Sequence, residues 1–131
     1  MFPYSVYLAG CPSREALDRV GDKWSAMIVR LLSERPHRFG ELRRAIGGIS
    51  QKMLTQTLRS LERDGLVARH AFATVPVTVE YSLTPLGETL VEPLAAICSW
   101  AERHIAEIQA ARADFQQAGE RVAAATSGAS D

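Results

Sequence analysis

The stretch from Ser50 to Gly65 limits the fold more than any other part of the chain. Leu54, Leu58 and Leu61 stand at i, i+4 and i+7, the spacing of a helix with one buried face. Ser50 is placed to cap that helix, and Ile49 with Leu54 has the spacing of a hydrophobic staple. Gly65 supplies a left-handed stop. The outer face carries Gln51, Lys52, Thr55, Gln56 and Arg59, with no carboxylate among them. Amides, cations and a threonine methyl are the groups that read base edges in the major groove. Taken alone, this face serves equally well as a solvated helix surface. The segments around it decide between the two.

Upstream, Gly40 to Ala45 reads as a brief helix, with Glu41 near its positive end, followed by a Gly47-Gly48 turn. Phe39, Leu42 and Ile46 are expected to point inward. A short helix, a glycine turn and a longer helix with a polar face is the layout of a helix-turn-helix. Downstream the period changes from helical to alternating. Leu66, Ala68, His70 and Phe72 make one expected strand face. Val79, Tyr81 and Leu83 alternate with Thr78, Glu80 and Ser82, and Ala73 to Val77 is the hairpin loop between the strands. A hairpin in this place is a wing. The short His37-Arg38-Phe39 segment is a candidate strand stub, and His37 is a candidate phosphate neighbour.

Residues 1–10, with Tyr4, Tyr7 and Leu8, read as an irregular arm. Pro12 suits a first helical turn, and Ala16, Leu17 and Val20 form the expected apolar side of that helix. Asp22 can cap the next helix. There Trp24, Met27, Ile28, Leu31 and Leu32 form the expected core stripe. Thr84-Pro85 is a strong helix start. From it an apolar stripe runs through Leu86, Leu90, Leu94, Ile97, Trp100, Ala101, Ile105 and Ile108, with a kink at Pro93 as one option. The stripe outlasts what a small domain can cover, so its simplest cover is a second copy of the chain. From Gln116 the chain is rich in Ala, Gly and Ser and is expected to fray. The expected division is therefore an arm at 1–10, a domain at 11–115 and a flexible tail at 116–131.

Charge is balanced overall but not evenly spread. Residues 35–63 hold seven Lys/Arg against two acids, and residues 85–131 hold three against seven. Widening the first window to Glu34 and Asp64 moderates the contrast without removing it. A basic middle and an acidic end fit a chain of which only one part meets phosphates. No apolar run is long enough to span a bilayer. Cys11 and Cys98 are too few for a disulfide framework, so the cytoplasm is the default expectation.

Together Cys11-Pro12, Gly21-Asp22-Lys23-Trp24, Arg38-Phe39-Gly40-Glu41-Leu42-Arg43-Arg44, Gly48-Ile49-Ser50-Gln51-Lys52-Met53-Leu54-Thr55, Asp64-Gly65-Leu66-Val67 and Val79-Glu80-Tyr81-Ser82-Leu83-Thr84-Pro85-Leu86-Gly87 resemble the HxlR-type winged helix-turn-helix regulators of the MarR-like group. The likeness covers residues 11–105 in order and spacing. It implies a mainly α fold with a small β-ribbon and a long C-terminal dimerisation helix. It further implies a bacterial homodimer on an inverted-repeat DNA operator, acting by repression. Residues 50–64 become the recognition helix, with Gln51, Lys52, Thr55, Gln56 and Arg59 as base readers. Arg38, Arg43, Arg44, Ser50 and Arg63 become phosphate contacts, with one of the first three expected to be structural instead, paired with Glu41 or Glu62. The wing loop lacks the Lys or Arg that the family often carries there, so Thr74 and Thr78 are the wing's candidate phosphate contacts.

In some members a cysteine at the position of Cys11 senses electrophiles or oxidants. A helix N-terminus and the nearby Arg14 would favour its thiolate. The opposing reading is a small apolar residue tucked under the first helix. A small-molecule or thiol-reactive effector is therefore a candidate partner. Cys98 reads as packing. His37, His70 and His104 lack metal-ligand spacing, and no nucleophile–base–acid set stands out, so no metal, cofactor or enzymatic activity is expected. The rival reading is a winged-helix module for protein contacts with no operator.

Overall fold

The computed structural model describes residues 5–129, without the side chains of Val20 and of 127–129. The expectations on Tyr4 and on the Val20 side chain lie outside the described residues. The order is α1 (Pro12–Gly21), α2 (Lys23–Glu34), β1 (His37–Arg38), α3 (Phe39–Ala45), α4 (Gln51–Arg63), β2 (Val67–Phe72), β3 (Thr78–Leu83), α5 (Pro85–Glu88) and α6 (Val91–Ala129). The chain divides into one unit up to Ala95 and a second from Ala96 onward.

In the first unit the core is built where the local signals are strongest. Leu54, Leu58 and Leu61 of α4 are buried, as are Leu42, Ile46 and Ile49 before it. Ser50 caps α4, its Oγ accepting from the Met53 N–H at 3.1 Å. At the other end the Leu66 N–H reaches the Leu61 carbonyl at 2.9 Å and the Gly65 N–H reaches Glu62 at 3.0 Å. This paired closure of the last carbonyls turns on Gly65 at φ +76°, a backbone angle that side-chain-bearing residues rarely adopt. The Asp22 cap of α2 also forms, its Oδ1 accepting from the Trp24 N–H at 3.1 Å.

Two helix faces differ from the sequence expectation. On α2 the buried residues are Ser25, Ile28, Val29 and Leu32, whereas Met27 is 43% exposed. Both Met27 and Val29 are apolar, so periodicity alone does not choose between the two stripes. On α1, Ala16 and Leu17 are exposed rather than packed inward.

The wing is a three-stranded antiparallel sheet in the order β1-β3-β2, with the strand stub β1 adding to the expected ribbon. His37 pairs with Tyr81, and Arg69 of β2 pairs with Tyr81 from the other side. The inward parity of β2 is one residue off the expected face. Val67 is buried, while His70 and Phe72 lie on the exposed part of the strand with their rings 5.0 Å apart. His37 is buried, its Nδ1 2.8 Å from the Arg35 carbonyl, so it is not a phosphate neighbour.

The stripe after Thr84 is not one helix. Thr84 caps α5, accepting from the Gly87 N–H at 3.0 Å, and the chain then breaks at Thr89-Leu90 before α6. The cause is Pro93. It has no N–H for the Thr89 carbonyl, so the new helix starts two residues ahead of it, with Pro93 in the first turn where no donor is needed. The expected kink is thus a full break. Its consequence is that Leu94, expected in a dimer seam, lies in the protomer's own core at 2% exposure. Gly87 holds the break against the sheet. A Cβ there would sit 2.0 Å from the Leu66 carbonyl oxygen, so only glycine fits.

The second unit consists of the rest of α6. Ile97, Trp100 and Ile105 are exposed, as is Ala101, and Ile108 is half-buried. Helix α6 passes Gln116, where the tail is expected to begin, and continues to Ala129.

Candidate nucleic-acid interface

The candidate surface is assembled by α3, α4 and the sheet. Glu41 fixes the start of α3, accepting from the Arg38 N–H at 3.0 Å and from Arg35 Nη2 at 2.9 Å. These hydrogen bonds, the Arg38 N–H first and Arg35 second, hold the Glu41 carboxyl below its ordinary range. The structural partner of Glu41 is therefore Arg35, not one of the three expected arginines. Arg38, Arg43 and Arg44 are exposed and make no ion pair among the described residues.

Three shallow recesses adjoin along this surface. One of about 580 Å³ is lined by Phe39, Gly40, Arg43, Arg44 and Gln51. The next, about 490 Å³, shares Phe39 and Gln51 and continues over Thr55, Arg59, Glu62, Arg69 and Tyr81. A third, about 630 Å³, brings Arg38 and Arg44 together with Glu41 and Glu80. The structure thus joins Gln51, Thr55 and Arg59 to the α3 arginines on one continuous surface. Lys52 and Gln56 are exposed on the same helix. Thr55 is half-buried and its hydroxyl donates to the Gln51 carbonyl at 2.8 Å. Its methyl group remains the feature that complements thymine.

Arg69 was not among the expected contacts. It is exposed on β2 and opens onto the same recess as Arg59. The sequence signal for it would have been strand parity, since Arg69 is two residues beyond the inward Val67, but the expected β2 face was off by one.

Three other expected contacts are placed differently. The Thr74 hydroxyl donates to the Pro76 carbonyl at 2.8 Å, and Thr74 Oγ1 lies 3.1 Å from Thr78 Oγ1. A carbonyl can only accept, so Thr74 donates to Pro76, and Thr78 is placed to donate to Thr74. Both hydroxyls are thus engaged within the loop. The wing tip presents Val75 and Val77 instead, both exposed. Arg63 turns away from the α3 arginines. It lies 3.6 Å from Asp64 and lines a cleft of about 360 Å³ between α1 and α5. Leu86 and Leu90, expected in a dimer seam, line that same cleft within the protomer. Across it Arg19 Nε binds Asp64 at 3.0 Å.

Cys11 is half-buried at the N-cap of α1. Its Sγ is 3.2 Å from the Ser13 hydroxyl. That contact and the Ser13 N–H draw the thiol below its ordinary range, against an opposing effect of burial. Arg14 is not the cause. Its guanidinium donates to the carbonyls of Val6 at 2.9 Å and Tyr7 at 3.0 Å. Along α6, the His104 ring lies tilted against Trp100, with centroids 5.2 Å apart, and its Nδ1 is 3.7 Å from Glu107. Among the described residues no helix is long and apolar enough to cross a membrane.

Comparison with known proteins adds independent findings. The sequence model of a helix-turn-helix family described as HxlR-like matches residues 19–109. The HTH-type transcriptional regulator YtfH of Escherichia coli (strain K12) is 48% identical over 108 residues, covering 82% of this chain and 86% of its own. Among solved structures, the transcriptional regulator ytfH from Salmonella typhimurium superposes with a TM-score of 0.78 at 43% identity, covering 83% of this chain and 97% of its own. The redox regulator HypR in its oxidized form gives a TM-score of 0.66 at 41% identity, covering 71% and 96%.

Proposed function

The chain belongs to the HxlR-like helix-turn-helix family of transcriptional regulators, and on that premise we propose that it represses transcription as a homodimer on an inverted-repeat operator. The observation that carries this reading is the exposed face of α4 joined to the α3 arginines. Gln51, Lys52, Thr55, Gln56 and Arg59 read bases, and Arg38, Arg43, Arg44, Arg69 and the first turn at Ser50 hold phosphates. Two copies of α4 enter successive major grooves, about 34 Å apart. The Ile97, Trp100, Ala101, Ile105 and Ile108 face of α6 meets its copy. The chain works in the cytoplasm, where DNA is.

Binding of the purified protein to DNA from upstream of its own gene, followed across salt concentrations, tests this reading. Arg43→Ala weakens binding to every sequence and lowers the salt slope by about one unit. Gln56→Ala costs about 1–3 kcal/mol and relaxes preference at one base pair. Equal binding to all sequences by the wild type, with no response to Gln56→Ala, contradicts the assignment and favours a protein-contact module.

The lowered thiol at Cys11 and the likeness to a redox regulator support a second element, a thiol-reactive response at Cys11. Oxidant or alkylating agent then changes operator affinity in the wild type and leaves Cys11→Ser unaffected. A Cys11→Ser variant that still responds contradicts it.

A further inference from the structure

The cleft between α1 and α5 takes no part in the surface assigned to DNA, and its chemistry is different. The three recesses along α3 and α4 each carry a pair of arginines. The floor of this cleft is aliphatic. It is made by Ala16 of α1, Leu66 after α4, Leu86 of α5 and Leu90 at the break before α6. A Cβ on Gly65 would lie 3.9 Å from Leu86 Cδ2, so the floor reaches the stop of α4. Leu86 is nevertheless 56% exposed, which leaves part of that floor uncovered by the protomer.

The rim is charged but balanced, with Arg19 and Arg63 matched by Glu15 and Asp64. Asp64 holds both arginines, Arg19 Nε at 3.0 Å and Arg63 Nε at 3.6 Å. Glu15 lies in the first turn of α1, where the positive end of the helix offsets its charge. A charged ligand entering here loses hydration without meeting a buried, uncommitted opposite charge. The outer arginine, Arg63, is 73% exposed, and an ion pair made there is worth little in water. Affinity must therefore come from the floor.

Size narrows the occupant further. The cleft volume of about 360 Å³ is at the small end for ligand sites, which run from about 300 to about 1,000 Å³. One turn of helix, about 10 Å across and about 5.4 Å long, fills about 420 Å³, so a partner's helix does not enter it. We propose that this cleft binds a small neutral molecule with a compact hydrocarbon body and at most one hydrogen-bonding group. Such an occupant touches α1, the end of α4 and the lead-in to α6 at once. It favours one arrangement of the three and so acts as an effector of the recognition helix. The site stands apart from the operator reading above, whereas its regulatory effect rests on that reading.

NMR titration of the full chain with cyclohexanol tests the site. Saturable shifts are expected at Ala16, Leu66, Leu86 and Leu90, with cyclohexanecarboxylate at neutral pH binding about tenfold more weakly. Ala16→Phe fills the cleft from the exposed face of α1, and Leu86→Glu puts a charge on its floor. Each lowers cyclohexanol affinity about tenfold, and circular dichroism confirms that both variants keep the fold. Shifts that never saturate, equal affinity in both variants, or tighter binding of the carboxylate overturns the proposal. If cyclohexanol does not bind and both variants self-associate more weakly in sedimentation, the cleft belongs to a second copy and the proposal also falls. In operator binding, saturating cyclohexanol changes wild-type affinity about threefold and leaves Ala16→Phe unmoved. A wild type whose operator affinity ignores bound cyclohexanol overturns the effector role. A wild type that binds cyclohexanol and no DNA at all overturns the operator reading and keeps the site.

Discussion

Helices α4 and α6 carry the same kind of pattern and meet different fates. On α4 the leucines close into the protomer's own core, with Leu54 and Leu61 fully buried and Leu58 nearly so. On α6 Ile97, Trp100 and Phe115 are 53–82% exposed. Periodicity says that a face is to be buried. It does not say by what. Helix α4 is short and flanked on both sides by apolar segments folded back over it. Helix α6 runs for 39 residues, longer than most helices that one small domain can cover.

The sharpest way to break this contrast is to truncate one apolar residue in each helix. Leu54→Ala is expected to destabilise the first unit by about 3–5 kcal/mol, the cost of lost burial plus a cavity. Phe115→Ala is expected to move protomer stability by less than about 0.5 kcal/mol, measured by urea unfolding at a concentration where the chain is monomeric. Equal losses would mean that α6 is covered within the protomer. Next in size is Gly87→Ala, where a methyl group would collide with the Leu66 carbonyl. About 3 kcal/mol of destabilisation is expected, because both colliding groups are held by the backbone. A neutral result would show that the α5–α6 break does not depend on that close approach. Removing the α4 cap with Ser50→Ala should cost about 1 kcal/mol and loosen the helix at its DNA-facing end.

The smallest effect concerns acid. Glu41 has a carboxyl pKa depressed in the folded chain by the Arg38 N–H and Arg35. Its contribution is therefore fully present above the ordinary glutamate value, about 4.3. It is lost as pH falls through the lower folded value. Glu41→Gln should flatten the stability profile over that acid range and leave the profile near neutrality parallel to the wild type. A profile unchanged in acid would show that Arg35 and Arg38 do not favour the charged form.

The features legible in the sequence were those set by neighbours in the chain. The Ser50, Asp22 and Thr84 caps, the Gly65 stop and the three leucines of α4 all depend on residues within a few positions, and all are found. The features that were not legible depend on distant contacts. Met27 and Val29 exchange roles because the sheet and α4 choose which face of α2 they cover. Arg69 joins the surface through the parity of β2, which is set by pairing with β3. Leu94 enters the core because Pro93 breaks the stripe and re-aims the residues after it. Thr74 and Thr78 have suitable chemistry for phosphate, and their mutual hydrogen bonding within the loop depends on how the hairpin closes, which residue type alone does not give.

The central claim is that two α4 helices sit in adjacent major grooves of one operator. Hydroxyl-radical footprinting of the wild type on its upstream DNA, alongside Lys52→Ala and Gln56→Ala, tests it most directly. Two protected patches related by a dyad are expected, with centres about one helical turn apart, and both fade in either variant. A single patch, or protection that survives both substitutions, would contradict it.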